Sequence, residues 1–345
     1  MTTAAARKLQ STPLLDQLLE REFSDERLSA TLELESPLPE QLWERALSGP
    51  LRAMASRPGK EFRRQLVAIG WQLSGGRSEP PPELAGIVEA LHLGSLIVDD
   101  IEDGSARRRG GPSLHLLVGT PLALNAGNWL YFLPGLFVSR LALPRTRELL
   151  LRRAIERSVL RCHYGQALDL STRVTDLRQR DVANVVATTT RLKTGSLTEL
   201  AATLGALAAG AEPGVVAALG TMGRNFGVAL QMLDDLTGLT STERCHKGHE
   251  DLLAARPTWP WALLSEHVDE VAYQRFRSLA EAVTSRDLHP EALAEPLREQ
   301  VGGVGFRAVR AHLRKTRQAL SDAIGEPEGF AELAAEMERL ERFDG

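Results

Sequence analysis

Residues 87–103 read IVEALHLGSLIVDDIED, an almost wholly apolar run that ends in a cluster of carboxylates. The sequence RRRG follows at 107–110. The apolar run predicts a buried helix, on which Asp99 and Asp103 project from one face, a turn apart. Magnesium suits such a pair, since it prefers carboxylate oxygens and completes its shell with substrate phosphates. The arginines can grip phosphate oxygens that the metal leaves uncovered. The stretch therefore predicts a helix end that holds a metal-bound polyphosphate.

A solvated acidic surface is the commoner origin of an isolated acidic run. Here the residues before Asp99 are apolar, so the carboxylates end a buried helix instead of decorating an exposed one. Carboxylates at such a place are costly unless they are paired or bound to a metal. The surroundings therefore favour the metal site.

A second acidic motif lies downstream in Leu230–Leu236, LQMLDDL, where Asp234 and Asp235 end another apolar helical stretch. Two such motifs that face each other across a cavity can hold several magnesium ions around one diphosphate and neutralise it as it leaves. Ionisation of a carbon–oxygen bond in an apolar pocket needs this help, because the new carbocation receives none from solvent. The two motifs together indicate chemistry on a diphosphate ester.

The composition favours an all-α fold. Ala, Leu, Arg and Glu dominate the 345 residues, and alternating strand runs and Gly-rich βα turns do not recur. We predict a single large helical bundle with a central apolar cavity in residues 40–345, preceded by an N-terminal leader in residues 1–39. Helices are predicted at 82–101, 121–141, 145–170, 213–236, 290–299 and 303–324, among others, with short breakers between them.

Charge and cysteine content narrow the partners and the compartment. The net charge of −4 is too close to balance to indicate a nucleic-acid partner. Cys162 and Cys245 are the only cysteines and neither forms a CxxC pair, which favours a cytoplasmic location. Residues 116–139 carry no charge, but Pro121 and Pro134 interrupt them, so we predict a buried helix and no transmembrane segment.

Further candidate phosphate ligands are scattered along the chain: Lys60, Arg63, His92, Lys193, Thr194, Lys247 and Arg256. Taken singly, each is more often an ordinary surface cation or a satisfied polar group. Their value lies in their arrangement.

That arrangement resembles the all-trans isoprenyl diphosphate synthases, most closely the eukaryotic-type geranylgeranyl diphosphate synthases. The resemblance covers about Pro58 to Pro260, and order and spacing agree throughout. Its motifs are PGKEFR at 58–63, LHLGSLIVDDIEDGSARRRGGPSLH at 91–115, LNAGNWLYF at 124–132, GQALDL at 165–170, KTGSL at 193–197, LQMLDDLTGL at 230–239 and DLLAARPTWP at 251–260. The resemblance implies a bundle of the isoprenoid synthase type and a magnesium-dependent prenyltransferase.

The resemblance also implies roles, position by position. The implied metal ligands are Asp99, Asp103 and Asp234. The implied ligands of isopentenyl diphosphate are Lys60, Arg63, His92 and Arg109, and those of the allylic diphosphate are Arg108, Lys193, Thr194, Gln231, Lys247 and Arg256. The implied reaction ionises the allylic substrate, joins it to isopentenyl diphosphate and releases a proton, and the implied assembly is a homodimer.

Three departures from the family pattern lie on the allylic side. Gly238 stands where the second motif should end in Asp or Asn, so a contact to the metal or its surroundings is expected to be missing. Arg256 follows Ala255 where the family has Lys after Gly, and Lys247 only approximates the position of a further lysine. These changes leave open weakened catalysis, an altered substrate or a regulatory role.

Product length depends on the residues just before the first motif, which line the pocket for the growing chain in the family. Gly94 and Ser95 are small and do not block a long prenyl tail, whereas Trp129 or Phe132 of the next predicted helix could form the pocket floor. The resemblance favours geranylgeranyl diphosphate as product, and Gly94→Phe is expected to shorten it.

Two alternatives remain at this point. A terpene cyclase on the same fold would ionise a prenyl diphosphate without an isopentenyl site, and the residues kept at Lys60, Arg63, His92 and Arg109 argue against it. A regulatory subunit of a prenyl synthase is conceivable from the altered second motif, although an intact first motif argues for retained metal binding.

Overall fold

A computed structural model describes residues 13–59, 62–240, 245–327 and 329–342. The described residues are 80% helical with almost no strand, and the predicted all-α class is confirmed. The chain forms two compact units, one of residues 1–64 and 81–142 and the other of residues 65–80 and 143–345. The proposed boundary between a leader and a catalytic domain at residue 39 stays a prediction.

The first unit is built around two long helices. Its elements are α1 (Leu14–Glu22), α2 (Asp25–Leu32), α3 (Glu40–Trp43), a π-helical turn (Glu44–Ser48), α4 (Gly49–Ala55), the start of α5 (Phe62–Gln72), α6 (Pro82–Glu102), strands β1 (Arg107–Arg108) and β2 (Gly111–Pro112), α7 (Leu114–Val118) and α8 (Thr120–Arg140). Two glycines let α6 and α8 approach closely, since a β-carbon at Gly94 would lie 2.8 Å from the carbonyl oxygen of Gly127. The two helices thus form one packed layer that carries the first acidic motif at its end.

Helix α1 belongs to this packed unit. Leu15, Leu18 and Leu19 are buried, which places the apolar face of α1 inside the unit. The buried carboxylate of Glu22 accepts a hydrogen bond of 2.7 Å from Arg27 and is also paired with Arg140 of α8. The helix is therefore anchored by both apolar burial and ion pairs.

The second unit is built around two apolar helices, at residues 196–209 and 213–240. After α5 it contains α9 (Arg145–Ser171), a 3-10 turn (Val174–Asp176), α10 (Gln179–Thr190), a π-helical turn (Arg191–Gly195), α11 (Ser196–Ala209), α12 (Pro213–Thr240), α13 (Cys245–Leu253), α14 (Trp259–His267), α15 (Glu270–Thr284), α16 (Glu291–Ile324) and α17 (Phe330–Glu341). Helix α12 packs between α11 and α16. Its C-terminal part carries the second acidic motif.

One predicted helix boundary is wrong. The break expected between 299 and 303 does not exist, because α16 runs unbroken from Glu291 to Ile324. Gly302 lies inside the helix and Gly305 faces α12, where a β-carbon would meet the side chain of Leu236. Gly305 thus serves close packing, whereas a β-carbon at Gly302 would meet nothing within 4 Å, so the burial of Val301, Phe306 and Val309 sustains the helix against the low propensity of this glycine.

No helix in the described ranges combines the length and the apolar character needed to cross a bilayer. The uncharged segment at 116–139 forms the end of α7 and most of α8.

Candidate active site

The three aspartates of the first acidic motif, one buried and two partly exposed, lie at the C-terminal end of α6. Asp100 is fully buried and accepts a hydrogen bond of 2.8 Å from Nε of Arg108. Burial raises the pKa of Asp100, and the Arg108 guanidinium acts in the opposite direction. Asp99 lies 3.6 Å from Arg108, and Asp103 caps the helix. Because a helix C-terminus favours positive charge, Asp99 and Asp103 stand where a bound cation would relieve their repulsion.

The arginines after this motif lie on a short antiparallel hairpin, which the sequence did not reveal. Arg107 pairs with Pro112 and Arg108 with Gly111. Arg109 and Gly110 form the loop with φ angles of +48° and +79°, as a type I′ turn requires. The hairpin thus separates the guanidinium groups of Arg108 and Arg109, and that of Arg108 contacts the aspartates.

His92 lies about two to three turns before the aspartates, among positive charges. Burial lowers the pKa of its imidazole well below the usual range, and the charges of Arg63, Arg109 and Arg108 lower it further. Burial likewise lowers the pKa of Arg109, with Arg108 and Arg57 acting in the same direction. The structure therefore brings together three of the four residues predicted to bind isopentenyl diphosphate, and Lys60 lies outside the described residues.

The candidate allylic residues of the second unit are linked in a chain of hydrogen bonds. Thr194 Oγ1 donates to Oε1 of Gln231 at 2.8 Å, and Gln231 Nε2 donates to Oδ1 of Asp235 at 2.7 Å. The other oxygen of Asp235 accepts from the backbone N–H of Trp259 at 3.0 Å. Asp235 thus ties α12 to α14, while its neighbour Asp234, the predicted metal ligand, is exposed.

Lys193 and Thr194 lie on the π-helical turn Arg191–Gly195, between α10 and α11. Single π-helical turns inside helices occur often at functional sites, because they redirect side chains out of the regular helical pattern. Lys193 Nζ lies 2.7 Å from Oδ2 of Asp169, within the GQALDL motif of α9. The turn therefore accounts for the adjacent placement of the Lys193 ammonium group and the Thr194 hydroxyl group.

At Gly238 the structure explains the departure from the expected acidic residue. A β-carbon at Gly238 would lie 3.3 Å from Cα of Gly248, and one at Gly248 would overlap with the carbonyl oxygen of Gly238. The backbone of α13 therefore occupies the space beside Gly238. Beyond this crossing Asp251 pairs with Arg256 at 3.4 Å. The side chain of Lys247 lies outside the described part of the chain.

These elements match one known family. The family model described as polyprenyl synthetase matches residues 44–295. The chain belongs to the polyprenyl synthetase family.

Relatives and solved structures of this family agree. The chain is 30% identical over 190 residues to a geranylgeranyl diphosphate synthase of Sulfolobus acidocaldarius, covering 54% of this chain and 56% of the relative. It is 29% identical to a geranylgeranyl pyrophosphate synthase of Penicillium canescens, with 82% of each chain covered. The solved geranylgeranyl pyrophosphate synthetase of Pyrococcus horikoshii has the same fold, with a TM-score of 0.73, 23% identity and coverage of 96% and 95%.

The four candidate chain-length residues differ from one another in burial and in packing partners. Gly94 faces the backbone of α8, so a phenylalanine there would strike α8 before it reached a cavity. Ser95 is half-buried, and its hydroxyl donates to the carbonyl oxygen of His92 at 2.8 Å. Trp129 packs against Phe23 with ring centroids 5.4 Å apart, and Phe132 is 77% exposed. A pocket role for these residues stays a prediction, and Ser95 is the better position for its test.

Two of the predicted metal ligands, Asp99 and Asp103, belong to the first unit, and the third, Asp234, belongs to the second. Within the described ranges, no group of three or more His, Cys, Asp or Glu side chains is arranged to hold a metal. The carboxylates of Asp99 and Asp103 nevertheless match magnesium in donor type, since it accepts a few carboxylate oxygens and leaves positions for water and phosphate. Asp234 adds an exposed carboxylate of the same type.

Proposed function

We propose that this protein is a magnesium-dependent trans-prenyltransferase that condenses isopentenyl diphosphate with an allylic diphosphate, with geranylgeranyl diphosphate as the principal product. The observation that carries the proposal is a cluster of three guanidinium groups, those of Arg63, Arg108 and Arg109, around His92, with Arg108 also 3.6 Å from Asp99. Opposite charges so close to each other suit a diphosphate bridged to a metal. The named relatives support the product length.

Each residue of the cluster has a task in this reaction. Arg109 and Arg63 hold the diphosphate of isopentenyl diphosphate, and neutral His92 supplies a hydrogen bond without adding a charge. Buried Asp100 fixes the guanidinium of Arg108, whose remaining donors face the allylic diphosphate. Magnesium at Asp99, Asp103 and Asp234 would neutralise the diphosphate as it leaves.

The second unit carries further candidate residues for the allylic diphosphate in this proposal. Lys193 binds oxygens of the departing diphosphate, and Thr194, whose single hydroxyl proton is donated to Oε1 of Gln231 at 2.8 Å in this structure, would turn that proton to the diphosphate when the substrate binds. The carbon–oxygen bond of the allylic substrate breaks, its electrons go to the diphosphate, and the double bond of isopentenyl diphosphate attacks the carbocation. The proton that is then lost passes to the released diphosphate.

The test is a product assay with purified protein. It combines Mg²⁺, labelled isopentenyl diphosphate and, separately, dimethylallyl, geranyl and farnesyl diphosphate, with Asp103→Asn as the matched metal-site variant. Linear elongated diphosphates made by the wild type and lost in the variant support the proposal. A hydrocarbon or alcohol formed without isopentenyl diphosphate would indicate a terpene cyclase, and absence of turnover would indicate a regulatory subunit.

The enzyme acts as a cytoplasmic homodimer in this proposal. Apolar side chains are exposed on each of two helices, with Phe132 at 77% on α8, and Leu160 at 60% and Tyr164 at 66% on α9. Large exposed apolar side chains of this kind are typical of protein interfaces. Analytical ultracentrifugation of the wild type and of Leu160→Glu tests the assembly, and a monomeric wild type would reject it.

A further inference from the structure

Arg57 holds the hairpin that carries two of the predicted diphosphate ligands. Its Nη1 donates hydrogen bonds of 2.8 Å to the carbonyl oxygen of Arg108 and to that of Pro112. Arg108 belongs to β1 and Pro112 to β2. A single guanidinium nitrogen therefore ties the two strands to each other and to the end of α4.

The hairpin needs such support. Each strand has only two residues, and isolated two-stranded ribbons are marginally stable in water. Arg109 adopts a left-handed conformation with a φ of +48°, which is unfavourable for a residue with a β-carbon. Glycine or asparagine would suit this turn position better, but neither could supply the guanidinium group.

Gly111 provides the space for the Arg57 guanidinium. A β-carbon at Gly111 would lie 2.9 Å from Cζ of Arg57 and 3.1 Å from both of its terminal nitrogens. Gly111 does not belong to the glycines with positive φ, so its backbone conformation does not require glycine. The missing side chain therefore serves the contact with Arg57.

We propose that Arg57 is a positioning residue for the prenyl transfer reaction. It fixes the hairpin so that Arg108 reaches Asp100 at 2.8 Å while the guanidinium of Arg109 lies beside Gly59. Its consequence for substrate binding rests on the proposed function, whereas its consequence for the hairpin does not. The competing role is a direct contact with the diphosphate, because Arg57 lines a small pocket together with Arg64 and Arg109.

Three variants separate positioning from charge. Arg57→Ala removes both the hydrogen bonds and the charge, Arg57→Lys keeps the charge with a different donor geometry, and Gly111→Ala keeps Arg57 but displaces its guanidinium. Arg45→Ala, in the exposed π-helical turn before α4, is the matched control. The measurements are hydrogen exchange of the 106–113 amides, calorimetric binding of inorganic pyrophosphate, and KM and kcat with isopentenyl diphosphate.

Arg57→Ala and Gly111→Ala should both accelerate exchange of the hairpin amides by about tenfold or more, as expected for the loss of two hydrogen bonds. Both should weaken pyrophosphate binding and raise the KM for isopentenyl diphosphate by about tenfold, with a smaller change in kcat. Arg57→Lys should recover part of each effect, and Arg45→Ala should match the wild type.

Unchanged hairpin exchange in Arg57→Ala would overturn the proposal. So would a loosened hairpin with normal pyrophosphate binding and normal KM, or a Gly111→Ala variant that matches the wild type throughout. A wild-type protein without prenyl transfer would reject the proposed function instead, and hydrogen exchange and pyrophosphate binding would still decide the role of Arg57.

Discussion

Replacement of Gly248 by alanine should separate α13 from α12. A β-carbon at this position would overlap with the carbonyl oxygen of Gly238, and ordinary contact would require a displacement on the order of 1 Å. Overpacking of this kind costs about 1–3 kcal/mol, and replacing a helical glycine by alanine returns about 1 kcal/mol. We therefore expect a net destabilisation of about 0–2 kcal/mol, concentrated in α13.

Two further glycines make this test quantitative. A β-carbon at Gly238 would lie 3.3 Å from Cα of Gly248, which is tight but close to ordinary contact, and one at Gly214 in the first turn of α12 would meet nothing within 4 Å. Hydrogen exchange of α13 and urea unfolding should therefore rank the alanine variants with Gly248→Ala the least stable, Gly238→Ala intermediate and Gly214→Ala at or above wild type. Equal stability of Gly248→Ala and Gly214→Ala would refute the reasoning.

The same crossing bears on the altered second motif. Helix α13 carries Asp251, whose carboxylate pairs with Arg256, so its displacement should raise the KM for the allylic substrate more than that for isopentenyl diphosphate. Gly238→Asp should not increase activity, because the new side chain must displace α13 before it can reach a metal. An increase in activity would show that Gly238 is a lost ligand and not a packing residue.

Four other substitutions test the first unit. Asp100→Asn should destabilise the protein by about 3 kcal/mol in urea unfolding, because it leaves Arg108 without its buried counter-charge; a loss below about 1 kcal/mol would contradict the importance of this pair. Ser95→Phe should shorten the prenyl product in a sizing assay, whereas Gly94→Phe should mainly lower stability through its contact with α8, and the reverse outcome would assign the pocket to Gly94. His92→Asn should reduce the loss of stability on acidification. The folded-state pKa of His92 lies below the unfolded value of about 6.5, so the unfolded chain takes up a proton that the native protein does not. The stability of the wild type therefore falls by up to about 1.4 kcal/mol per pH unit below 6.5. Parallel pH profiles for the wild type and this variant would contradict the shift.

The long helices could be predicted because their ends carry strong local signals. Proline lies at the start of both predicted helices, 82–101 and 145–170, and Gly104 follows the first of them. The observed helices are Pro82–Glu102 and Arg145–Ser171. The false break in α16 has the opposite cause, since the burial of Val301, Phe306 and Val309 overrides the low helix propensity of Gly302 and Gly303. The hairpin at 107–112 escaped prediction because strands of two residues have no periodicity to detect.

The site residues were predicted by position in a motif, and their individual geometry was not. Motif position does not separate Asp99 from Asp100, although the helical phase does, since Leu93, Ile97 and Asp100 recur at the spacing of one buried face. The π-helical turn under Lys193 has no sequence signal that we recognise. Arg57 escaped notice because its role depends on contacts with carbonyl oxygens far along the chain.

Two groups on different elements respond to the same positive field. His92 on α6 and Arg109 on the hairpin both have pKa values lowered by burial and by neighbouring guanidinium groups. A multiply charged anion bound between them would remove this repulsion and favour the charged form of each. The first unit thus concentrates positive charge around His92 and Arg109, and a diphosphate bound there in the proposed reaction would relieve the repulsion. In this proposal, selectivity for a diphosphate over a singly charged anion would follow from this shared field more than from any one ligand, and the positioning of the hairpin by Arg57 would contribute to it.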